Sequence, residues 1–476
     1  MTTEESSLLP STDAEDATSL KYIFTLAAPM VVTTISFTIM QFVDRFMVSR
    51  LGTDALAAIL PAGFVSFLPS SFAMGAMTSL STFVSQSLGR GEKSECSSYF
   101  WQTIWMGVVY FIAAAVIMWP SAPWIFKMMG QPETIIPMEV IYLRIILYAH
   151  LVAVINWSAN QFFMGIHRPI ITMCASLCGQ IVNVAANYVL IFGKFGVPAM
   201  GIAGAGWGTF IGIAITACLN MAVFLSGRTA RVFKSRSSLG LNLRKMHDLL
   251  RVGLPAGFGL MANVAFWGII LIGLVGRHGK EVLAATSAVL SYGGLAVMPV
   301  VGIGTALSAA VGKSIGQGRK DLAAKQTSVC LRIGLIYMGS VGLCFFLFRD
   351  GLMRFWSDEP GVIKAGANIL ICAASYQVFH AIRIIYGGSL RGAGDTLWLA
   401  AASAIGEALV LGLGGWLAAT LLPSWGYMGP WIAAAASIAA VAWANRWRFK
   451  SNRWMKIDLF KRPVPVVPVQ DEGIVE

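Results

Sequence analysis

The chain contains about twelve apolar runs that are each long enough to cross a bilayer, since a hydrocarbon core of ~30 Å takes about 20 helical residues. Of its 476 residues, 56% are hydrophobic and 12% are charged, whereas soluble domains carry roughly 25% charged residues. We therefore predict an all-α polytopic membrane protein. The predicted helices span residues 22–50, 56–88, 99–119, 137–165, 169–193, 201–226, 247–276, 282–315, 327–348, 362–390, 396–421 and 428–447.

Basic residues predict the orientation of these helices. Seven lie between residues 228 and 251, in the loop after the sixth helix, and seven more lie between residues 446 and 462. Because cytoplasmic loops carry an excess of Lys and Arg, we predict a multi-pass protein of the cell (plasma or inner) membrane with both termini in the cytoplasm. The net charge of +12 follows from this topology and indicates no nucleic-acid partner.

The two halves of the chain repeat one another. Residues 78–93 read TSLSTFVSQSLGRGEK and residues 305–320 read TALSAAVGKSIGQGRK, with an offset of 305 − 78 = 227 and eight of sixteen positions identical. We predict two six-helix lobes related by this repeat, with the substrate site between them. The predicted divisions are a disordered cytoplasmic tail (1–20), a first lobe (21–226), a cytoplasmic linker (227–246), a second lobe (247–450) and a cytoplasmic tail (451–476).

One acidic residue lies inside the first apolar run. Asp44 follows Pro29 by 44 − 29 = 15 residues, or about 22 Å along a helix. A carboxylate at that depth is costly, so it faces a partner or a water-filled cavity and is a candidate functional group. Gln41 lies on the same helical face. The competing interpretation is that Asp44 only pairs with a polar neighbour and fixes helix packing.

Other polar side chains lie inside later runs. Asn183 and Asn187 share one helical face, and Asn156 and Asn160 repeat that spacing one helix earlier. Buried amides need hydrogen-bond partners, and Asp44 could accept several of them, although such residues also serve as contacts between helices. Glu407 is the only carboxylate deep in the second half, so we assign it to ion coupling.

The tenth predicted helix carries a polar face. His380 and Arg383 lie on it together with Tyr376 and Gln377, and such a wall could receive an anionic or zwitterionic substrate. The alternative is a histidine that is hydrogen-bonded within the packing. Tyr292 is a candidate for an adaptable apolar lining of the same cavity.

Several motifs resemble one transporter family. The chain carries FVDRFMVSRLGTDALAA (42–58), VSQSLGRGEK (84–93), GIAGAGWGT (201–209) and SLRGAGDT (389–396), in that order. Together they resemble the multidrug and toxic compound extrusion (MATE) family, in its bacterial NorM/DinF-like branch. The resemblance implies a V-shaped molecule of two six-helix lobes that exports organic compounds in exchange for protons or sodium ions.

The resemblance also assigns roles to individual positions. Asn187 departs from the family, because many relatives have aspartate there. Asn263 and His380 stand where sodium-linked relatives have a glutamate and an aspartate, and neither supplies the anionic oxygen that sodium prefers, so we favour protons. The residues that match the family's proton- or sodium-linked network are Asp44, Asn183 and Thr209, and we assign Asn187 to ion coupling with them. The residues that we assign to the substrate cavity are Gln41, Asn156, Asn160, Asn263, Tyr292, Tyr376, Gln377, His380 and Arg383.

These features predict a secondary efflux antiporter that works by alternating access and needs no cofactor or metal beyond an ion gradient. Its expected partners are a small organic substrate and membrane lipid, and we expect a monomer. Alternatives are a dedicated exporter of one metabolite such as a siderophore, or a flippase for amphiphilic lipid-linked substrates. A membrane enzyme would need clustered catalytic side chains, which the sequence lacks, and the 89–93 turn is too short for the major facilitator class.

Overall fold

The computed structural model describes residues 20–267 and 272–460, in which twelve long helices follow one another and no strand occurs. This confirms the predicted fold class. The first six helices are α1 (Leu20–Ser49), α2 (Thr53–Gly89), α3 (Lys93–Met128), α4 (Ile136–Gly165), α5 (Pro169–Phe192) and α6 (Ile202–Phe224). The second six are α7 (Leu243–Ala265), α8 (Lys280–Gly316), α9 (Lys320–Leu347), α10 (Pro360–Gly392), α11 (Thr396–Leu421) and α12 (Met428–Lys450).

Ten of the twelve helices are long and apolar enough to cross a membrane by length and composition, and the other two are α7 and α12. Of these two, α7 begins with charged turns and α12 ends with one. Shorter helical segments lie at Gly227–Phe233, Ile272–Gly276, Arg349–Arg354, Pro423–Trp425 and Arg453–Lys456.

Several predicted boundaries differ from the structure, most of all at α3, at α7, which ends at Ala265 and not at 276, and at α9, which begins at Lys320 and not at 327. Helix α3 begins at Lys93 rather than at 99, and it continues past 119 to Met128 because Pro120 and Pro123 lie inside it rather than ending it, as membrane helices allow. Helix α7 begins inside the predicted linker 227–246, because the Asn242 side chain accepts a hydrogen bond from the Lys245 backbone N–H at 3.1 Å and caps the helix there. The predicted tails fall largely outside the described residues.

The internal repeat is visible in the helices themselves. Helices α2 and α8 each contain 37 residues, and both their first and last residues differ by the same offset, 280 − 53 = 227 and 316 − 89 = 227. The offset is the one that the sequence motifs give. The two six-helix halves are therefore copies of one unit, as predicted.

The halves pack closely at the end of the molecule that carries the basic loops. A Cβ atom on Gly89 would lie 3.0 Å from the Cα atom of Gly316, its repeat partner. The Gln86 side-chain amide donates to the Gly392 carbonyl at 2.9 Å. Glycine thus lets the last turns of α2 and α8 meet backbone to backbone.

Two further contacts join the halves. In α7, Cβ atoms on Gly253 and Gly257 would each lie 2.6 Å from a carbonyl oxygen of α2, so α7 also packs against α2 without side chains between them. In the turn between α4 and α5, His167 Nδ1 accepts from the Tyr22 hydroxyl at 2.5 Å, and His167 Nε2 lies 3.2 Å from the Ala309 carbonyl of α8. The turn therefore joins both halves.

A third connection is made by residues 451–460, which we name the tail clasp. Its Trp454 is 1% exposed and stacks on Phe449 of α12. Its Asp458 accepts from Arg90 Nη2 at 3.4 Å, and the Phe460 ring lies 4.5 Å from the Arg90 guanidinium carbon. The clasp thus runs from the last helix of the second half to the end of α2 in the first half.

The opposite end of α1 packs within the first half. Val48 there lies in a cluster of first-half residues, whereas Leu26 and Ala27 near the start of α1 are buried against α8. The described contacts between the halves lie toward the basic-loop end. The structure is therefore closed at that end.

Candidate functional site

The acid of α1 meets an amide of α5. Asn187 Nδ2 donates to Asp44 Oδ1 at 2.7 Å, and the same nitrogen lies 3.4 Å from Asn183 Oδ1. Asp44 is half-buried, and both asparagines are buried. The structure thus brings together three of the residues that the sequence assigned to ion coupling.

The glycines of α6 make room for this amide pair. A Cβ atom on Gly208 would overlap the Asn187 side chain, and one on Gly212 would lie 2.6 Å from Asn183 Cβ. Gly208 of the GIAGAGWGT motif and Gly212, one turn later, therefore let α5 and α6 approach closely with two asparagines between them. Thr209 lies in this motif, but its hydroxyl donates to the Ala205 carbonyl of its own helix at 3.0 Å.

Asp44 has no cationic partner within ion-pair distance among the described residues, and the neighbouring Arg45 side chain is exposed. The hydrogen-bond network has spare capacity, because Asn187 Oδ1 and Asn183 Nδ2 are buried without a described partner. One neutral donor therefore holds the carboxylate, and the remaining amide groups are free to hydrogen-bond to a water or a ligand.

One residue near this site and one buried acid on the same helix were missed by the sequence reasoning. Tyr142 of α4 lies within electrostatic range of Asp44 and Arg45. Glu139, one turn earlier, is fully buried, and neither of its carboxylate oxygens has a described partner. No sequence pattern pointed to Tyr142. The signal for Glu139 was weak, because an acidic residue in the first turn of a helix usually indicates a favourable charge at the helix N-terminus.

The other polar residues of the first half lie elsewhere. Asn156 donates to the Ile213 carbonyl of α6 at 3.0 Å and accepts from Asn220 at 3.4 Å, so it joins α4 to α6. Asn160 has a buried oxygen without a described partner, and Gln41 is half-buried one turn before Asp44. The structure does not bring these three into the hydrogen bonds of Asp44.

A second cluster surrounds the acid of the second half. Glu407 of α11 is fully buried, and its Oε1 accepts from Asn263 Nδ2 of α7 at 2.6 Å and from Arg383 Nη2 of α10 at 2.7 Å. The sequence had assigned Glu407 to coupling and the other two residues to the substrate cavity. Three helices instead bring them into one charge-paired group.

The backbone around this cluster is irregular. Glu407 begins a π-helical segment, Glu407–Leu413, which interrupts α11. Helix α7 also takes a π-helical turn at Phe266 and Trp267, just after Asn263. Such segments widen a helix locally and are frequent at functional sites.

The polar face predicted on α10 is present, but its cationic side chain, Arg383, already has an acidic partner. The Arg383 guanidinium pairs with Glu407, and His380 is half-buried with its ring edge-on to Tyr376 at 6.0 Å. Gln377 is buried, and its side-chain nitrogen has no described partner. Tyr292 donates to the Leu352 carbonyl at 3.0 Å, which ties it to a short helix rather than to this face.

The two carboxylates therefore differ in surroundings. Asp44 accepts from a neutral amide and remains partly accessible, so a proton or a cation can reach it. Glu407 is enclosed and already holds a guanidinium. In such a pair the environment, and not the residue type, decides which acid exchanges its charge.

Residues 29–189 and 255–414 match the MatE protein family, with one segment in each half of the chain. The chain is 29% identical over 440 residues to the probable multidrug resistance protein NorM of Chromobacterium violaceum, covering 89% of this chain and 92% of that protein. It is 28% identical to the multidrug resistance protein PmpM of Pseudomonas aeruginosa, covering 79% of each.

Solved structures share the fold. A MOP superfamily transporter from Pyrococcus furiosus has a TM-score of 0.84 at 18% identity, covering 96% of this chain and 100% of that one. An outward-facing multidrug resistance transporter of the MATE family has a TM-score of 0.83 at 18% identity, with the same coverage. Since the family segments cover about two thirds of its length, the chain belongs to the MATE family of multidrug efflux transporters, which are membrane carriers and not enzymes.

Proposed function

We propose that this chain exports small organic compounds across the cytoplasmic membrane in exchange for protons, with Asp44 as the exchanging group. The observation that carries the proposal is the contact between Asp44 and Asn187, in which one partly accessible carboxylate is held by one neutral donor. An acid within a bilayer helix is costly as an ion, so either a proton or a cationic substrate can neutralise it. Both cannot do so at once.

That competition provides the coupling. A ligand shifts a conformational equilibrium only by its difference in affinity between the two states. With the basic loops in the cytoplasm, the closed end lies inside and the described state is open outward. There Asp44 takes a proton and releases substrate. After the change to the inward-open state it loses the proton and accepts a new substrate.

The moving units that we propose are the two lobes, residues 21–226 and 247–450, with both chain termini in the cytoplasm. Their backbone contact at Gly89 and Gly316 has few side chains to rearrange, and the lobes can separate there as bodies. We propose a monomer as the working unit, because the two lobes that move against each other lie within one chain.

Protons are favoured over sodium ions by the chemistry of the ligands. Sodium is a hard cation and needs several oxygen atoms, whereas an amide N–H occupies Oδ1 of Asp44. In the second lobe, Arg383 and Asn263 both donate to Oε1 of Glu407, so Oε2 is the one carboxylate oxygen left on that side chain, and a single oxygen is too few for a sodium ion. A proton needs a single accessible oxygen.

The substrate class that fits this charge distribution is organic cations. The accessible charge is the carboxylate of Asp44, while the guanidinium that could attract an anion is neutralised by Glu407. The relatives named as multidrug resistance proteins support a permissive apolar cavity rather than a dedicated one.

A vesicle assay tests this function. The full chain is reconstituted in liposomes, and uptake of ethidium, tetraphenylphosphonium and norfloxacin is followed under an imposed proton gradient or an imposed sodium gradient. We expect uptake of at least one cation with the proton gradient and none above background with sodium. Uptake that follows sodium at constant pH, or no uptake with either gradient, would overturn the proposal.

A further inference from the structure

We propose that Arg383 and Asn263 hold Glu407 as a carboxylate throughout the transport cycle, so that the second lobe carries no coupling proton. This assignment rests on the proposed proton coupling and adds which half of the molecule supplies it. Arg383 is then a positioning residue for Glu407 and not a substrate ligand. The transported protons are bound by the first lobe alone.

The first argument concerns Glu407 Oε1. This oxygen accepts two hydrogen bonds, from the Arg383 guanidinium at 2.7 Å and from the Asn263 amide at 2.6 Å. Both partners only donate through these nitrogens, and a charged donor strengthens such a bond. A proton on Oε1 would point at one of these donors and displace it.

The second argument concerns Glu407 Oε2. This oxygen is buried and has no hydrogen-bond partner among the residues that the structure describes. A proton placed there would become a buried O–H donor without an acceptor, which is unfavourable. Because the negative charge is shared by both carboxylate oxygens, Oε2 is stabilised as an anion by the guanidinium on Oε1. Neither oxygen offers a good place for a proton.

The side chains around the Arg383–Glu407 pair do not change the preference of Glu407 for the charged form. The titratable side chains nearest to Arg383 along α10 are His380 and Tyr386, each three residues away, and Tyr376 lies two turns away. Helix α7 contributes the neutral amide of Asn263, and α12 contributes Asn445, whose Nδ2 donates to the Arg383 carbonyl at 3.3 Å. Asn445 therefore fixes the backbone that carries the guanidinium.

A buried ion pair is costly to assemble, but removing only one partner is worse, because the other charge is left unpaired. If the only role of Arg383 and Glu407 is to neutralise each other's charge, then transport continues when both charges are removed together. If Glu407 instead carries a coupling proton, the double variant loses that proton. This difference separates positioning from proton transfer.

We test the assignment with Arg383→Met, Glu407→Gln, the double variant Glu407→Gln/Arg383→Met and the conservative Arg383→Lys, reconstituted as full chains. Infrared difference spectra between acidic and neutral pH report protonated carboxyl groups without any substrate. The double variant Asp395→Asn/Arg448→Met is the matched control, since Arg448 pairs with Asp395 at 2.7 Å in the same half.

We expect the wild type, Arg383→Lys and the double variant at positions 383 and 407 to give the same carboxyl bands. Arg383→Met should gain a carboxyl band, because an unpaired Glu407 then takes a proton. Adding Glu407→Gln to Arg383→Met should remove that band. In transport, each of Arg383→Met and Glu407→Gln should lose roughly tenfold or more, and the double variant should recover to within about threefold of wild type.

A wild-type carboxyl band that disappears in Glu407→Gln/Arg383→Met would overturn the assignment, as would a double variant that moves fewer protons per substrate than wild type. If the double variant fails to fold, the spectrum of Arg383→Met decides: a new carboxyl band supports the assignment, and no new band overturns it. Proton-driven transport by the wild type combined with a Glu407 band would refute this assignment alone. Absence of proton-driven transport would refute the proposed function.

Discussion

At the residue scale, the two intramembrane acids each accept from an asparagine, but only Glu407 also meets a guanidinium. Asn187 thus has a different role from Asn263. It is the neutral donor that orients Asp44 while leaving its charge available. The fully buried Asn187 sits where Gly208 leaves space for it.

Replacing Asn187 with alanine should lower proton-driven export by roughly 10- to 100-fold, since a hydrogen bond to a charged group contributes about 1.5–3 kcal/mol. Export of ethidium from reconstituted vesicles measures the effect. The matched control is Asn156→Ala, which removes a buried amide that bonds to the backbone of α6. Equal losses in both variants would mean that Asn187 acts only as a contact between helices.

The sequence could predict one of the two clusters. An acid inside an apolar run, facing amides at helical spacing, was enough to place Asp44 with Asn187. The cluster of Asn263, Arg383 and Glu407 was not predictable, because its members lie on three helices and 144 residues separate Asn263 from Glu407. The periodicity of apolar residues within one helix does not indicate which helices are neighbours, or where a π-helical segment turns a side chain inward.

At the element scale, the turn between α4 and α5 joins the halves through one imidazole. His167 Nε2 donates to the Ala309 carbonyl, because a carbonyl oxygen only accepts, and in the neutral ring Nδ1 then accepts from the Tyr22 hydroxyl. Burial and the nearby Lys313 lower the pKa of His167 to about 3, although its hydrogen bond to Ala309 acts in the opposite direction. The closed end therefore excludes protonated His167.

Opening of this end exposes His167 to water, where its pKa returns to about 6.5. Because the pKa is lower in the closed state, acid favours the open state. The closed state loses up to roughly tenfold in relative population for each pH unit between about 6.5 and 3, and it is unaffected above about 7.5. Spin-label distances between the α2 and α8 ends measure the populations.

His167→Gln is the informative variant for this dependence, because a glutamine side chain can accept from Tyr22 and donate to Ala309 without titrating. We expect the spin-label distances in this variant to stay constant between pH 5 and pH 8. Any change caused by titration of Lys313 or Arg168 would occur equally in the wild type. A wild type and a variant that open equally on acidification would show that His167 does not set the response.

At the scale of the whole molecule, the tail clasp connects the last helix to the first half across the closed end. The Arg90–Asp458 pair is partly exposed, and such pairs contribute about 0–1 kcal/mol. The Phe460 ring adds packing against Arg90 and Phe83. The clasp therefore biases the two lobes toward closure at this end without locking them.

Replacing Asp458 with asparagine and Phe460 with alanine together should raise the ratio of open to closed molecules at this end by roughly fivefold. The same spin-label distances report the ratio. Lys456→Ala is the matched control, because that side chain is exposed within the same segment. Distances unchanged by the double substitution, or shifted equally by the control, would exclude a role for the clasp in the balance.

The helix count, the repeat offset and the all-α class were predictable because each depends on local hydrophobicity or on direct comparison of the two halves. The tail clasp was not, since residues 451–460 read as a polar tail and their partners lie 368 positions away, as for Arg90 and Asp458. Long-range packing of short aromatic segments carries no periodic signal.

The most direct test of the central role of Asp44 records internal pH and ethidium accumulation together in the same vesicles, under an imposed proton gradient, for wild type and Asp44→Asn. Asparagine keeps the size of the side chain and its place beside Asn187 but cannot exchange a proton. We predict that Asp44→Asn is present in the membrane at normal levels, accumulates no ethidium against its gradient and releases no protons on substrate addition. Proton-driven accumulation by Asp44→Asn at the wild-type rate would contradict the account.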